Sequence, residues 1–241
     1  MVPGPSEFRS REEKEAYVQD MFDAIAPRYD RLNRIMAMRL DQRWRRQAAR
    51  AVVTRGDGPF LDVGAGTGDL ALAVSAAAPR ARVLGLDVAR RMLALGLRKR
   101  GFDRARMGMT QGSGLAIPAR DGQYEGITNA FVLRNLSDLD AFFREAHRAL
   151  RPGGRLVSLE IGRPRGRVFG PLYRLYFFRI VPRIGRALSG SPQAYSYLAD
   201  SVQRVEEPGR IAQRMRAAGF ADVRVTPIMR GAVNLFVAQK A

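Results

Sequence analysis

Apolar positions along this chain follow two alternating rhythms. Short, nearly solid apolar runs of four or five residues suit strands buried on both faces. Between them, apolar residues recur at three- and four-residue steps, the spacing of a helix with one buried side. The pattern predicts helices Glu12–Ile25 and Leu32–Val53 ahead of the first core strand. Strand Phe60–Val63, helix Asp69–Ala77, strand Arg82–Leu86 and helix Ala89–Lys99 follow. Strands Arg106–Thr110 and Glu125–Asn129 come next, then helix Asp138–Leu150, which the Pro-Gly-Gly turn at 152–154 should stop and reverse. Strand Arg155–Glu160 completes the core; helix Gly209–Ala217 and strands Asp222–Pro227 and Ala232–Ala238 read as a closing antiparallel hairpin.

Alternation of strands and helices predicts an α/β fold, a doubly wound, mostly parallel seven-stranded sheet with helices on both faces and a helical amino-terminal cap. With no internal repeat and no linker, one domain is expected: cap 1–56, ligand-binding core 57–160, helical cover 161–205, and closing helix and hairpin 206–241.

The cover departs from this plan. No acid occurs between Glu160 and Asp200, while Arg163, Arg165, Arg167, Arg174, Arg179, Arg183 and Arg186 all do. Phe169, Tyr173, Tyr176, Ile180 and Ile184 would share one face of a helix, which Pro182 should kink or divide. Basic plus aromatic composition suits a helix lying on an anionic bilayer, and equally a cover packed on the domain.

Composition narrows the chemistry. Of 241 residues, 46% are hydrophobic, enough for a substantial core. The absence of cysteine removes disulfides and thiol nucleophiles, and a single histidine, His147, builds no metal site and is expected at the surface. Against 23 acids stand 41 Lys+Arg, a net charge of +18, which favours a polyanionic partner, nucleic acid or a membrane surface. The first residues show no export pattern and no uncharged apolar run approaches membrane-spanning length. A cytoplasmic protein is expected, touching the inner face of the membrane only peripherally.

The most specific chemistry lies in Phe60-Leu-Asp-Val-Gly-Ala-Gly-Thr-Gly-Asp69, a strand running into a glycine turn that opens a helix. Glycines let the turn close tightly and let a ligand lie against the main chain. Asp87 ends the next strand about 20 residues on, where a ribose-binding acid belongs. A dinucleotide loop would space its glycines as Gly-x-Gly-x-x-Gly; here the spacing is Gly-x-Gly-x-Gly, flanked by Asp62 and Asp69. Acids there would repel a pyrophosphate and suit a cationic nucleoside such as S-adenosylmethionine.

The chain resembles the ubiquinone/menaquinone biosynthesis C-methyltransferases from about Met21 to its end. The resemblance rests on Met21-Phe-Asp-x-Ile-Ala-x-x-Tyr29-Asp30-x-x-Asn33 with Trp44-Arg45, on the glycine loop with Asp87 and Met92, on Leu133-Arg134-Asn135, and on Ala194-Tyr-Ser-Tyr-Leu198-Ala-Asp-Ser-Val202. It implies a class I, Rossmann-like methyltransferase with a donor site at Asp62, Gly64, Gly66, Thr67, Gly68, Asp87, Val88, Met92, Ser113, Gly114 and Ala130. It also implies methylation of a ring carbon on a prenylated quinol. The chain departs from the family pattern at Ser113, where an acid or amide is usual near the adenine, and at Ala130, Val132 and Ala37-Met-Arg39.

Ring methylation requires alignment, an electron-rich carbon and exclusion of water. Arg134 is expected to stabilise the quinol oxyanion, with Asn135 and Tyr29 orienting ring oxygens. The structural alternative pairs Arg134 with Asp30 and makes Asn135 a helix cap. A nucleic-acid methyltransferase is the less favoured alternative, left open by the arginine and aromatic content of Phe169–Phe178. A homodimer is equally open.

Overall fold

The computed structural model describes residues 8, 10–164, 166, 167, 169–181, 183, 197, 201, 202 and 205–241. Helix α1 (Arg11–Met36) is capped by Ser10, whose hydroxyl accepts from the Glu13 N–H, and Glu12 and Glu13 favour its positive end. Helix α2 (Leu40–Val52) follows. Then come β1 (Phe60–Val63), α3 (Asp69–Ala77), β2 (Val83–Asp87), α4 (Arg90–Gly96), β3 (Met107–Gln111), β4 (Tyr124–Ala130), α5 (Leu139–Ala149) and β5 (Leu150–Ile161). Helix α6 (Phe169–Leu175) runs into a wider π-helical turn at Tyr176–Ile180, and α7 (Pro208–Ala217), β6 (Phe220–Ile228) and β7 (Val233–Lys240) close the chain.

The seven strands form one sheet in the order β3-β2-β1-β4-β5-β7-β6. β7 runs antiparallel to both neighbours and every other pairing between adjacent strands is parallel. Because strand side chains alternate faces, Leu61, Val63, Ile127 and Phe236 join α5 and α7 on one side, with Phe142 and Phe143 fully buried. Phe60, Val157, Leu159 and Leu235 join α2 and α3 on the other. Burying a side chain the size of Phe142 contributes about 1.5–3 kcal/mol. A third cluster docks α1 on α4 through Val18, Met21, Ile25, Leu32 and Met92. Among the described residues no helix is long and apolar enough to cross a membrane.

Several sequence expectations shift. The expected break between Ile25 and Leu32 is absent: α1 continues through Pro27, because Ile25, Ala26 and Leu32 bury on both sides of it. That packing offsets the cost of an interior proline, roughly 3 kcal/mol. The chain turns instead at Met38 and Arg39, both in the left-handed region with φ of 49° and 62°. Extended pairing on β4 already begins at Leu150, so the Pro-Gly-Gly segment is a register shift within β5. His147 is half-buried, its ring edge-on to Phe220 at 5.2 Å. In the basic cover, Tyr173 and Val181 join one small cluster, but Ile180 is exposed rather than on that apolar face. Arg165, Pro182, Ile184, Arg186 and residues 194–196 and 198–200 lie outside the described residues.

Two ion-pair networks tie other elements to the sheet, one at the amino end of β4 and one beside the glycine loop. Glu125, fully buried on β4, accepts from the N–H groups of Thr54, Arg55, Gly56 and Gly58 and from the Thr54 hydroxyl, and pairs with Arg151 at 3.0 Å. Burial alone would raise its carboxyl, but these donors bring it down to about 2. Lys99 bridges Asp30 (2.7 Å) and Asp69, tying α1 to the start of α3. Asp30 therefore pairs with Lys99 and not with Arg134.

Candidate active site

Two adjoining cavities open at the carboxyl ends of β1, β2 and β4, the end at which open parallel sheets hold ligands. The first lies over the glycine loop. Eight of the residues expected to hold the donor line it: Gly64, Gly66, Asp87, Val88, Met92, Ser113, Gly114 and Ala130. Gly64 and Gly66 have φ of 66° and 56°, which only glycine adopts without strain. A methyl group built on Gly64 would meet Val132 Cγ2 at 2.4 Å, and one on Gly114 would meet Val63 at 2.7 Å, so side chains there would collide with the walls.

Asp87 holds the loop. Its Oδ2 accepts from the Gly66 N–H at 2.6 Å and its Oδ1 from the Ala89 N–H at 2.8 Å. Burial pushes this carboxyl up, and those two N–H groups oppose the shift. A carboxylate has about four lone-pair sites, so acceptor capacity is left for a ligand.

The other three expected donor residues do not line the cavity. Thr67 is buried with its hydroxyl donating to Asp30 Oδ1 at 2.6 Å and accepting from Lys99 at 2.7 Å. Gly68 caps α3 at φ 81°, under Met109. Asp62 lies beneath the loop, its Oδ1 accepting from Thr128 at 2.8 Å while its Oδ2 is buried without a partner. Burial pushes its carboxyl up to about 7, against the opposing Thr128 hydroxyl and the Arg45 charge.

One carboxylate in this cavity escaped the sequence reading. Glu15 of α1 lines it, and its Oε1 accepts from Ser113 Oγ at 3.2 Å and from Ser137 Oγ at 3.4 Å. A long-range contact between residues 98 positions apart leaves no local signal.

The second cavity, about 360 Å³, is mostly apolar and within the roughly 300–1,000 Å³ span of small-molecule pockets. Its walls come from α1, α2, α6 and the turn after β4. Tyr29, Asn135, Phe22 and Phe131 line both cavities and form their common wall. Burial pushes the Tyr29 hydroxyl up; the Arg45 guanidinium is the largest opposing influence, followed by Asn33 and Arg134. Phe131 has φ 64°, a strained conformation for an aromatic residue that costs of order 1–3 kcal/mol.

Arg134 reaches this cavity from the short turn at Leu133–Asn135. Its Nη1 donates to Glu160 Oε1 at 2.6 Å and to Phe131 O at 2.7 Å, and its Nε to Ser201 Oγ at 3.3 Å. Glu160 was not singled out in the sequence; it is the partner that the structural alternative had assigned to Asp30. Asn135 accepts from Tyr197 Oη at 3.4 Å, and the cap of α5 is Asp138, whose Oδ1 accepts from the Ala141 N–H at 2.9 Å. Opposite lie Asp41, Trp44 and Arg45 of α2, with the Arg45 guanidinium 5.6 Å from the centre of the Phe131 ring.

The residue set fits S-adenosylmethionine: a loop with glycine at 64, 66 and 68, a carboxylate at the end of β2, and a buried carboxylate oxygen without a partner below them. Comparison with known proteins agrees in fold and family. The ubiE/COQ5 methyltransferase family profile matches residues 10–240. The chain is 40% identical over 230 residues to a demethylmenaquinone methyltransferase of Deinococcus radiodurans, covering 95% of each. It is 42% identical over 201 residues to the Thermus thermophilus protein of that name, covering 83% of this chain and 91% of the relative. Among solved structures, a SAM-dependent methyltransferase of Thermotoga maritima superposes with TM-score 0.66 at 16% identity, covering 92% of this chain and 99% of that one. The [4+2]-cyclase SpnF gives the same score at 18% identity, covering 94% and 96%, so the fold alone does not fix the reaction.

Proposed function

The chain belongs to the ubiE/COQ5 methyltransferase family, and we propose from that premise that it methylates a ring carbon of a prenylated quinol. It is an S-adenosylmethionine-dependent methyltransferase of quinone biosynthesis. The observation that supports the acceptor reading is the pairing of two unlike cavities across one wall. A cavity over the glycine loop that carries Asp87 and Glu15 adjoins a larger apolar one, and Tyr29, Phe131 and Asn135 belong to both.

Bound in the first cavity, S-adenosylmethionine supplies an electrophilic methyl group on a positive sulfur. Asp87 takes the ribose hydroxyls, Gly64 and Gly66 face the methionine portion, and Ser113 and Gly114 take the adenine. Asp62 acts on the ammonium group through the loop or through water. The second cavity takes the quinol, with Tyr29 and Asn135 orienting ring oxygens and apolar walls excluding water.

The mouth of the second cavity carries exposed apolar side chains. Met38 and Leu172, 63% and 59% exposed, line it, and Leu175 and Ile180 of α6 and the turn after it are exposed as well. Arg34, Arg39, Arg179 and Arg183 are exposed nearby in sequence. This combination favours peripheral contact with an anionic bilayer, at about 1 kcal/mol per basic residue near the surface. Flotation with anionic and neutral vesicles, at low and high salt, tests it; equal binding to both would remove the electrostatic part.

The decisive experiment offers methyl-labelled donor to reduced and oxidised demethylated naphthoquinones and benzoquinones, with RNA as control. Labelling of reduced quinones alone is expected. Labelling of RNA, or equal labelling of oxidised rings, would overturn the reading.

A further inference from the structure

We infer that Arg45, oriented by Asp41, is the cation that holds and ionises one ring oxygen of the quinol; this rests on the acceptor reading above. Arg45 is 7% exposed and Asp41 3%, and both line the acceptor cavity. The Arg45 Nε lies 3.7 Å from Asp41 Oδ2, beyond hydrogen-bond distance, and has no hydrogen-bond partner. The guanidinium also packs against the face of Phe131, and its charge is felt by the Asp62 and Asp69 carboxylates. Asp41 is equally underused: Oδ1 has no partner and Oδ2 receives only Gln42 Nε2 at 3.4 Å.

A guanidinium has five N–H donors, and burying polar groups without acceptors is costly, which makes such groups rare unless a ligand completes them. Arg134 contrasts sharply. Its donors engage Glu160, Phe131 and Ser201, and a carboxylate at 2.6 Å already neutralises its charge. Of the two guanidinium groups in the cavity, Arg45 is therefore the one with an unpaired donor, Nε, and with a charge not held in a close hydrogen-bonded ion pair.

The quinol needs both. Its two ring oxygens stand on opposite sides of the ring, so a cavity that orients it offers polar groups at two places. A phenolic hydroxyl is neutral near pH 7, with a pKa of about 10, and a neutral oxygen donates few electrons to the ring. A cation within about 4–6 Å lowers such a pKa by roughly 1–3 units. On ionisation the O–H bond breaks, the electron pair stays on oxygen facing Arg45, and the proton passes to water at the cavity mouth. The Arg45 guanidinium, 5.6 Å from the centre of the Phe131 ring, stands beside the common wall.

The test uses 1-naphthol, whose phenolate absorbs at longer wavelength than the neutral form, bound to the full chain with S-adenosylhomocysteine present. Absorption is followed against pH in wild type, Arg45→Lys, Arg45→Met, and the double variant Asp41→Asn/Arg45→Met, which leaves no unpaired buried charge. Wild type should lower the pKa of the bound probe by about one to three units. Arg45→Met and the double variant should lose the shift, and Arg45→Lys should keep part of it. A full shift in a double variant that still melts cooperatively would overturn the inference while leaving the acceptor reading intact. Failure of naphthol to bind any form would overturn both.

Discussion

Arg134 and Glu160 meet at 2.6 Å with side-chain exposures of 7% and 1%, a buried ion pair at the base of the acceptor cavity. Removing one partner of such a pair typically costs about 3–5 kcal/mol, because the other charge is left without compensation. Arg134→Ala should therefore lower the melting temperature as well as turnover, while affinity for S-adenosylhomocysteine in the folded fraction stays nearly unchanged. Arg134→Met/Glu160→Gln should recover most of the stability without recovering activity. Recovery of activity together with stability would make Arg134 purely structural.

Asp87→Ala should weaken S-adenosylhomocysteine binding by roughly 1.5–3 kcal/mol, the range for a hydrogen bond to a charged group. The same change frees the Gly66 and Ala89 N–H groups, so the glycine loop should exchange its amide hydrogens faster. Calorimetry and hydrogen exchange read the two effects separately.

Glu15→Ala should weaken donor binding by about 1 kcal/mol, the worth of an ordinary hydrogen bond, and leave quinol affinity unchanged. The contact of Glu15 with Ser113 motivates this expectation. Unchanged donor affinity would reduce Glu15 to a helix-docking residue.

Asp62 and Glu125 should respond to pH in opposite senses. The Asp62 carboxyl is raised from 3.8 to about 7, so its contribution is fully present below about pH 4 and lost as pH rises through 7. Asp62→Asn should consequently melt higher than wild type at pH 8 and alike at pH 4, while binding the donor less tightly. Glu125 is lowered from 4.5 to about 2, so its contribution is present above pH 4.5 and lost as pH falls through 2. That shift corresponds to roughly 3 kcal/mol, at 1.36 kcal/mol per unit. Glu125→Gln should remove about that much stability at neutral pH and flatten the acid limb of the melting curve.

Strands and the donor loop were legible because their signals are local. A four-residue apolar run and a glycine spacing do not depend on distant partners, and β1 and α3 begin and end where the pattern places them. Where the reading failed, tertiary contacts had outweighed a local cue. Separate helices were expected to end at Ile25 and begin at Leu32, yet burial of those two residues carries α1 through Pro27 between them. Asp138, three residues ahead of Ala141, offered the capping signal that was given to Asn135. Arg134 was legible as a residue of interest, but Glu160 could not be assigned as its partner, because 26 positions separate them. Glu15 and the unpaired Nε of Arg45 become visible only once α1 and α2 are laid over the sheet.

The common wall of Phe22, Tyr29, Phe131 and Asn135 has a practical consequence for inhibitor chemistry. Fragments for the two chambers need cross only that one layer of side chains to be joined. A tether matched to that span makes the second fragment's capture intramolecular, which can raise avidity about 10²–10⁴-fold without any new contact. Shrinking Phe22, which rests edge-on to Tyr29 at 6.0 Å, would open the passage such a tether must thread.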